Sequence, residues 1–263
     1  MSEQQIMESR SEVIAPVQVG VGTSFLTLAR WSLASIGAML PLIVVIQCAL
    51  AAGIVIGFGF LNPDITPESA LFLSSGAPTI LLLTVGLVIV PQGVSRARAS
   101  GELDYQRALP VSRPLLLLVD LIVWGLIALP GVAIGLVIAW FRYDVVFTFD
   151  WPLLILVSVL VTSMATAIGY AIAVTLPAML AQLVSQVLVF FVLLFSPITF
   201  PSSRLPEWFE ALHSVLPIQP AADLMRSGIA AQAFPADGRD LVVLAGWTAF
   251  GLVVTFLALV RRK

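Results

Sequence analysis

The chain has 263 residues, of which 59% are apolar and 11% are charged, and its mean hydropathy is +1.05. An ordinary soluble domain has about 25% charged residues, so 13 Lys and Arg with 15 Asp and Glu cannot coat a body of this size with polar groups. Lipid must replace water over much of the surface, which makes this an integral membrane protein. The formal net charge of −2 and the lack of a basic stripe exclude a nucleic-acid partner.

Lysine and cysteine each occur once, and their positions exclude several kinds of site. The lysine is Lys263, whereas a Walker-type ATP site needs a lysine directly after a glycine-rich turn that opens a helix. The chain therefore cannot hydrolyse ATP by such a site. Cys48 lies inside an apolar run, which excludes disulfides within the chain and cysteine-rich metal sites.

Six apolar runs are long enough to cross a bilayer, which takes about 20 residues. We predict an all-α integral membrane protein with six transmembrane helices, at about residues 33–60, 77–94, 115–141, 151–176, 178–195 and 241–260. The first run can bend at Pro41, and Pro177 alone separates the fourth run from the fifth, so those two should form a tight hairpin. Residues 1–22 are polar and show no cleaved signal, which predicts a cytoplasmic tail ahead of one membrane domain over 23–263.

Residues 23–32 place Phe25, Leu28 and Ser32 at helical spacing, with Trp31 beside Arg30, which suits a short helix in the membrane interface. An equally weighted alternative is that these residues form the first turns of span one.

Loop charge predicts the orientation. With both termini in the cytoplasm, the basic residues inside are Arg10, Arg30, Arg96, Arg98, Arg107, Arg113, Arg261, Arg262 and Lys263, and those outside are Arg142, Arg204, Arg226 and Arg239. Because basic residues concentrate on the cytoplasmic side, we expect a multi-pass protein of the plasma (inner) membrane with both ends in the cytoplasm.

Two polar segments stand out, one on each side of the membrane. The inner loop over 95–114 reads SRARASGELDYQRALPVSRP, which by itself is equally consistent with a basic loop that anchors the topology. The outer stretch over 196–240 is too long for a simple connection. There Pro206 is placed to begin a helix that Pro217 and Pro220 end, and a second short helix can run from Ala221 toward Gly228. Two short amphipathic helices that dip into the outer leaflet fit these residues.

Five short motifs stand in these segments: RASGELD and LPVSR after span two, and SPITFP, LPEW and LPIQP before span six. In their order and sidedness they resemble the membrane domain of ABC type-2 exporters, a family that includes drug and antibiotic permeases as well as lipid and polysaccharide exporters. The resemblance covers the chain from about Phe25 to Val260.

The resemblance implies partners and roles. A separate nucleotide-binding subunit would supply ATP and Mg²⁺, with no cofactor on this chain, and would contact the coupling residues Arg30, Glu102, Asp104, Tyr105, Arg107 and Arg113. Two permease chains, identical or different, would form a dimer in which spans one, two and five line the substrate path. Re-entrant outer helices would cap that path, with candidate residues Pro197, Pro206, Trp208, Pro217 and Pro220. The short turn at Pro177 and the few basic residues near the N-terminus depart from the family pattern.

Three amides well inside the apolar runs are candidates for transport or packing. Gln47 is in span one, and Gln182 and Gln186 share one face of span five because they are four residues apart. Amides in lipid seek hydrogen-bond partners, so we expect all three to face protein or water. One interpretation places them in the substrate path or dimer seam, and the other in ordinary helix-to-helix bonding.

The remaining chemical candidates are few. Asp120 is the only acidic or basic residue in the six runs, and it either has a structural role, at the interface or paired with a loop arginine, or serves as a proton relay. His213 and Glu210 are too few ligands for zinc, so an interfacial histidine is expected. No serine lies in a Gly-x-Ser-x-Gly setting, and we assign no catalytic residue.

Together these features favour a non-enzymatic permease subunit of an ATP-driven exporter for an amphiphilic substrate, a drug or antibiotic ahead of a lipid or glycan. The alternative is a proton-coupled secondary transporter, or a membrane assembly factor, without an ATPase partner.

Overall fold

The computed structural model describes residues 20–60, 65–102, 105 and 111–261. Within these ranges the regular structure is helical, apart from an isolated bridge between Thr148 and Ala230. The main helices are α1 (Val21–Gly37), α2 (Leu40–Phe60), α3 (Pro67–Ala99), α4 (Arg113–Tyr143), α5 (Trp151–Thr175), α6 (Ala178–Phe195), α7 (Glu207–Val215), α8 (Ile218–Ile229) and α9 (Gly238–Arg261). Six of them, α2 to α6 and α9, are long and apolar enough to cross a membrane, which confirms the predicted fold class.

α1 and α2 are separate helices, joined by a turn at Ala38 and Met39. Span one therefore starts at Leu40 rather than near residue 33, and α1 is not merely its first turns. Pro41 accounts for the break, because it has no N–H for the carbonyl of Gly37 and its ring would clash there. The location of α1 in the membrane interface stays a prediction.

α3 begins at Pro67 and ends at Ala99, whereas residues 77–94 were predicted. Its first turn is capped by Thr66, whose hydroxyl oxygen accepts a hydrogen bond from the backbone N–H of Ser69. Pro78 lies inside the helix, where surrounding helices can compensate for the hydrogen bond that a proline removes. Residues 73–83 are all buried, so neighbouring helices do surround it.

A π-helical turn, Val85–Ile89, interrupts α3 near its middle. Within it Gly86 lies directly against α5, so closely that a Cβ atom on Gly169 would collide with the Gly86 carbonyl oxygen. Pro91 follows Gly86 by five residues and has no N–H to give to that carbonyl in the π pattern. α3 and α5 therefore meet backbone to backbone at this turn.

α3 lies at the centre of the bundle and α6 at its edge. In the most apolar window of each helix, 83% of the α3 residues are buried but only 17% of the α6 residues. The helices α2, α4, α5 and α8 all pack against α3. α6 therefore presents most of its surface outside the bundle.

Two side-chain hydrogen bonds join α2 and α4, and each helix donates one of them. The amide nitrogen of Gln47 in α2 donates to the carbonyl oxygen of Ile127 at 2.9 Å. The hydroxyl of Tyr143 in α4 donates to the carbonyl oxygen of Val55 at 2.6 Å. Because each bond gives a side-chain donor an acceptor inside an apolar bundle, the pair fixes the position of α2 along α4.

Candidate functional site

We refer to the end of the bundle that holds α1 and the C-terminal end of α3 as the inner end, and to the end that holds α7 and α8 as the outer end. At the inner end, the rings of Trp31 in α1 and Tyr105 have centroids 6.3 Å apart and planes tilted by 60°. This aromatic contact joins the N-terminal helix to the loop after α3. The two segments assigned to ATPase contact thus belong to one region.

The predicted coupling residues are described only in part. Arg30 and Tyr105 are exposed, and Glu102 is half-buried. The residues that lie outside the description are Asp104, Arg107 and the side chain of Arg113, the first residue of α4. A coupling role for this set stays a prediction.

Arg98, near the end of α3, makes a connection that the sequence did not reveal. Its guanidinium donates to the carbonyl oxygens of Ala173 and Leu176, at 2.7 and 2.9 Å. Carbonyls at the end of a helix have no helical donor, and a cation there also interacts favourably with the helix dipole. Arg98 therefore ties the end of α3 to the turn that contains Pro177 and links α5 to α6. Only the approach of α3 to α5 brings these groups together, so no local pattern could indicate it.

Asp120 lies in the wall of a cavity of about 330 Å³ at the inner end. The cavity is enclosed by α1, α2, the end of α3, α4 and α5, and its polar lining includes Glu102 and Arg96. In the described part of the chain the one ion pair is Arg226 with Asp223. No described arginine therefore pairs with Asp120, although such a pair was one structural role considered for it.

Gln47 is buried inside the bundle, with 2% of its surface exposed. Besides its bond to α4, it occupies the space beside Gly131, where a Cβ atom would overlap the Gln47 side-chain oxygen. This placement corresponds to the helix-to-helix interpretation, and it sets Gln47 apart from the other two glutamines.

Gln182 and Gln186 are both exposed on α6. Neither side chain forms a hydrogen bond with another described residue. The adjoining side of α6 packs into the bundle through Ala181, Ser185 and Val192. Two amides thus stand on a face that is otherwise apolar, with exposed neighbours such as Leu183 and Val187.

The outer segment forms two helices whose boundaries differ from those predicted. α7 starts directly after Pro206 and carries Trp208, which is exposed. Pro217 precedes α8, and Pro220 lies in the first turn of α8 rather than ending the first helix. Proline is tolerated there because the first N–H groups of a helix have no helical acceptor. Re-entry of this hairpin into the membrane stays a prediction.

Arg226 of α8 holds the outer hairpin to α3 and to the end of α6. It is 1% exposed, pairs with Asp223 at 2.5 Å and lies over the Phe72 ring of α3 at 3.7 Å from the centroid. It also donates to the carbonyl oxygens of Pro197 and Ile198. Burial lowers the pKa of Arg226 to about 10, with Asp223 opposing the shift, so the guanidinium remains charged at neutral pH.

His213 was expected at the interface, but it is fully buried in α7. Its ring meets that of Phe209 edge to face, with centroids 4.6 Å apart, and neither ring nitrogen has a hydrogen-bond partner among the described residues. Burial lowers the pKa of His213. Within the described ranges no group of three or more His, Cys, Asp or Glu could hold a metal ion.

The six spanning helices define a multi-pass membrane protein, with a contact region at its inner end and a packed hairpin at its outer end. The chain belongs to the ABC-2 type transporter family, whose family model matches residues 21–230, from the start of α1 to the end of α8. No curated protein matches the sequence. The resemblance noted from the motifs is thus confirmed, and the chain is the membrane component of an ABC transporter.

Proposed function

We propose that the chain is the permease subunit of an ATP-driven exporter that moves an amphiphilic, drug-like or antibiotic substrate outward across the plasma membrane. ATP and Mg²⁺ bind to a separate subunit, because the only lysine here is Lys263 and no Walker-type site can form. Both termini lie in the cytoplasm, so the inner end faces the ATPase. The excess of basic residues on that side supports this orientation.

The observation that carries the proposal is the bonding of Arg98 to the end of α5. Arg98 lies near the start of the inner loop assigned to ATPase contact, and Pro177 directly follows Leu176, one of the two residues whose carbonyls Arg98 binds. Movement of the loop when ATP binds would therefore act on the α5–α6 hairpin. α6 carries Gln182 and Gln186, so the motion reaches the face assigned to transport.

The exposed face of α6 supports the proposal that a second permease chain packs against it. Amides in contact with lipid tails leave their hydrogen-bonding groups unsatisfied, which is unfavourable in a membrane. A second chain packed against α6, or a polar substrate path between two chains, gives Gln182 and Gln186 partners. The small buried fraction of α6 within one chain supports the same arrangement.

Co-expression with a P-loop ATPase subunit encoded beside this gene tests the proposal. We expect the two proteins to co-purify, and inside-out membrane vesicles that contain both to accumulate the fluorescent amphiphile ethidium when ATP is added. A non-hydrolysable ATP analogue is the control and should not support accumulation.

Three results would count against this function. Failure of any ATPase subunit to assemble with the chain would remove the energy source. Accumulation that a protonophore abolishes and that needs no ATP would favour the proton-coupled alternative. ATP-dependent accumulation only in right-side-out vesicles would reverse the direction of transport.

A further inference from the structure

The cavity at the inner end contains two acidic side chains that the proposed function leaves without a role. Asp120 of α4 and Glu102 both line it. Arg96 lines it too and contributes one positive charge, although its hydrogen bonds go to the carbonyl oxygen of Gln92 and to the sulfur of Met39, so these three groups leave a net charge of −1. The two carboxylates therefore have no basic partner within ion-pair distance among the residues that the structure describes.

Two like charges in one partly enclosed cavity destabilise each other, and their partial removal from water adds to this cost. A cation that entered the cavity would relieve both effects. Asp120 lies seven residues after Arg113, the start of α4, which places it about 10 Å along the helix. Asp120 therefore lies about two helical turns from the inner end of α4.

An aromatic wall adds a second feature that favours a cation. Trp124 follows Asp120 by one helical turn, lines the same cavity and is 7% exposed. Its indole N–H makes no hydrogen bond with a described residue. The face of an indole attracts a cation through its ring electrons, most strongly where water is scarce. Gly93 on α3 faces this indole, and a Cβ atom there would come within 3.2 Å of the ring.

The rest of the wall fits an amphiphile rather than a free ion. Ile36 and Ile43 add apolar surface from α1 and α2, and Ser32 and Ser35 add hydroxyl groups from α1. A bare metal ion would need several converging oxygen ligands, and no such cluster exists among the described residues. A ligand with a large apolar body and one positive charge matches this mixture.

We propose that this cavity is the loading site for the positively charged group of a cationic amphiphile, with Asp120 and Glu102 as countercharges and Trp124 as the aromatic wall. The inference rests on the proposed export function, because it names the substrate class of the same permease. The net negative charge of the lining disfavours anionic amphiphiles, and neutral ones gain no charge attraction from it.

Equilibrium dialysis of tetraphenylphosphonium tests this assignment. The full-length chain is placed in nanodiscs of zwitterionic lipid, and binding to empty nanodiscs is subtracted. Tetraphenylborate, which has the same shape and the opposite charge, is the control ligand. We expect saturable binding of the cation and none of the anion. Asp120→Asn should weaken cation binding on the order of tenfold to a hundredfold. The attraction between two opposite charges near a protein surface exceeds the free energy that corresponds to a tenfold change in affinity.

Two further variants serve as a second test of the site and as a negative control. Glu102→Gln lies outside the spanning segments and should also weaken cation binding, so the test does not depend on the folding of Asp120→Asn alone. Asp144→Asn removes an exposed carboxylate at the outer end of α4 and should leave binding unchanged. Asp144 has a φ of 51°, which asparagine also tolerates.

Equal binding of tetraphenylphosphonium by the wild type, Asp120→Asn and Glu102→Gln would overturn the assignment, and so would equal binding of tetraphenylborate. The measurement needs neither ATP nor the ATPase. Cation binding without ATP-driven transport would therefore contradict the proposed function alone, whereas transport that both carboxylate variants leave unchanged would contradict the loading site alone.

Discussion

Gly86 of α3 and Gly169 of α5 meet with no side chain between them, and a methyl group on Gly169 would overlap the Gly86 carbonyl oxygen. Small residues let membrane helices approach closely and gain dispersion contacts along their backbones. Here the contact lies at the π-helical turn, where α3 already departs from regular geometry. The centre of the bundle therefore tolerates very little added volume.

Gly169→Ala should destabilise the protein by about 1–3 kcal/mol, because the added methyl group has to displace backbone rather than a flexible side chain. The measurement is the melting temperature in detergent. Gly246→Ala is the matched control, since its Cβ atom would meet nothing within 4 Å. Alanine favours a helix over glycine by roughly 1 kcal/mol, so this variant should be unchanged or slightly more stable. An unchanged melting temperature for Gly169→Ala would contradict the backbone contact.

Arg226→Met should destabilise the fold by about 3 kcal/mol, the lower end of the range for breaking a buried ion pair, because Asp223 retains partial contact with solvent. Proteolysis of the outer hairpin should also become faster. Arg204→Met, at an exposed arginine of the same segment, should change neither property. Adding Asp223→Asn to Arg226→Met should recover part of the lost stability, because it removes the unpaired carboxylate. A fully additive double variant would argue against the pair.

The glutamines should separate into two kinds. Gln47→Leu should lower the stability of one chain by about 1 kcal/mol through loss of the bond to Ile127. Gln182→Leu should leave that stability unchanged, because Gln182 has no described partner, and should weaken association between permease chains. Unfolding titrations and energy transfer between labelled chains measure the two effects. Destabilisation of the single chain by Gln182→Leu, with association intact, would contradict the proposed contact face.

Arg98→Gln should uncouple ATP hydrolysis from transport. The variant loses the charge that binds the carbonyls of Ala173 and Leu176, so loop movement no longer reaches the α5–α6 hairpin. We expect the substrate transported per ATP to fall several-fold, with the ATPase rate retained and assembly unchanged. Arg98→Lys should recover part of the coupling. Arg142→Gln, at an exposed arginine of the outer end, is the control. A parallel loss of ATPase activity and transport would point to failed assembly instead.

His213 should make stability depend on pH. Burial lowers its pKa in the folded protein below the ordinary value of 6.5, so the unfolded chain binds the proton more readily. The contribution of neutral His213 to the free energy of unfolding is therefore complete above pH 6.5. Below pH 6.5 this contribution declines as the pH falls toward the pKa of the folded protein, by up to about 1.4 kcal/mol per pH unit. His213→Phe should remove this component. Melting temperatures at about pH 8 and about pH 5.5 check it, and an equal acid loss in both proteins would contradict it.

The spanning helices were accessible from sequence because a run of apolar residues must form a helix in lipid. Pro177 likewise predicted the hairpin between α5 and α6, which the structure contains. The first turns of α3 were missed because Ser74, Ser75 and Gly76 reduce the local hydropathy. These small residues are buried against neighbouring helices instead, and a hydropathy window has no access to such contacts.

The polar contacts could not be derived in the same way. From the sequence, Arg226 was interpreted only as one of the basic residues of an outer loop. Its burial depends on Phe72, more than 100 positions earlier in the chain. His213 was expected at the interface because it lies beside Glu210 in the outer helical stretch, with too few further ligands for a metal site. Both depend on where the hairpin packs, which is a property of the tertiary structure.

The π-helical turn in α3 changes the angular phase of that helix. An α-helix rotates by about 100° per residue, and a π-turn contains one more residue than an α-turn. The extra residue therefore rotates the faces of Val90–Ala99 by about 100° relative to those of Pro67–Thr84, compared with one uninterrupted α-helix. If the turn migrated by one residue along α3, the residue it passed would rotate to a different neighbour while both helix ends stayed in place. α3 thus has a means of rotating part of its surface inside a tightly packed bundle without sliding.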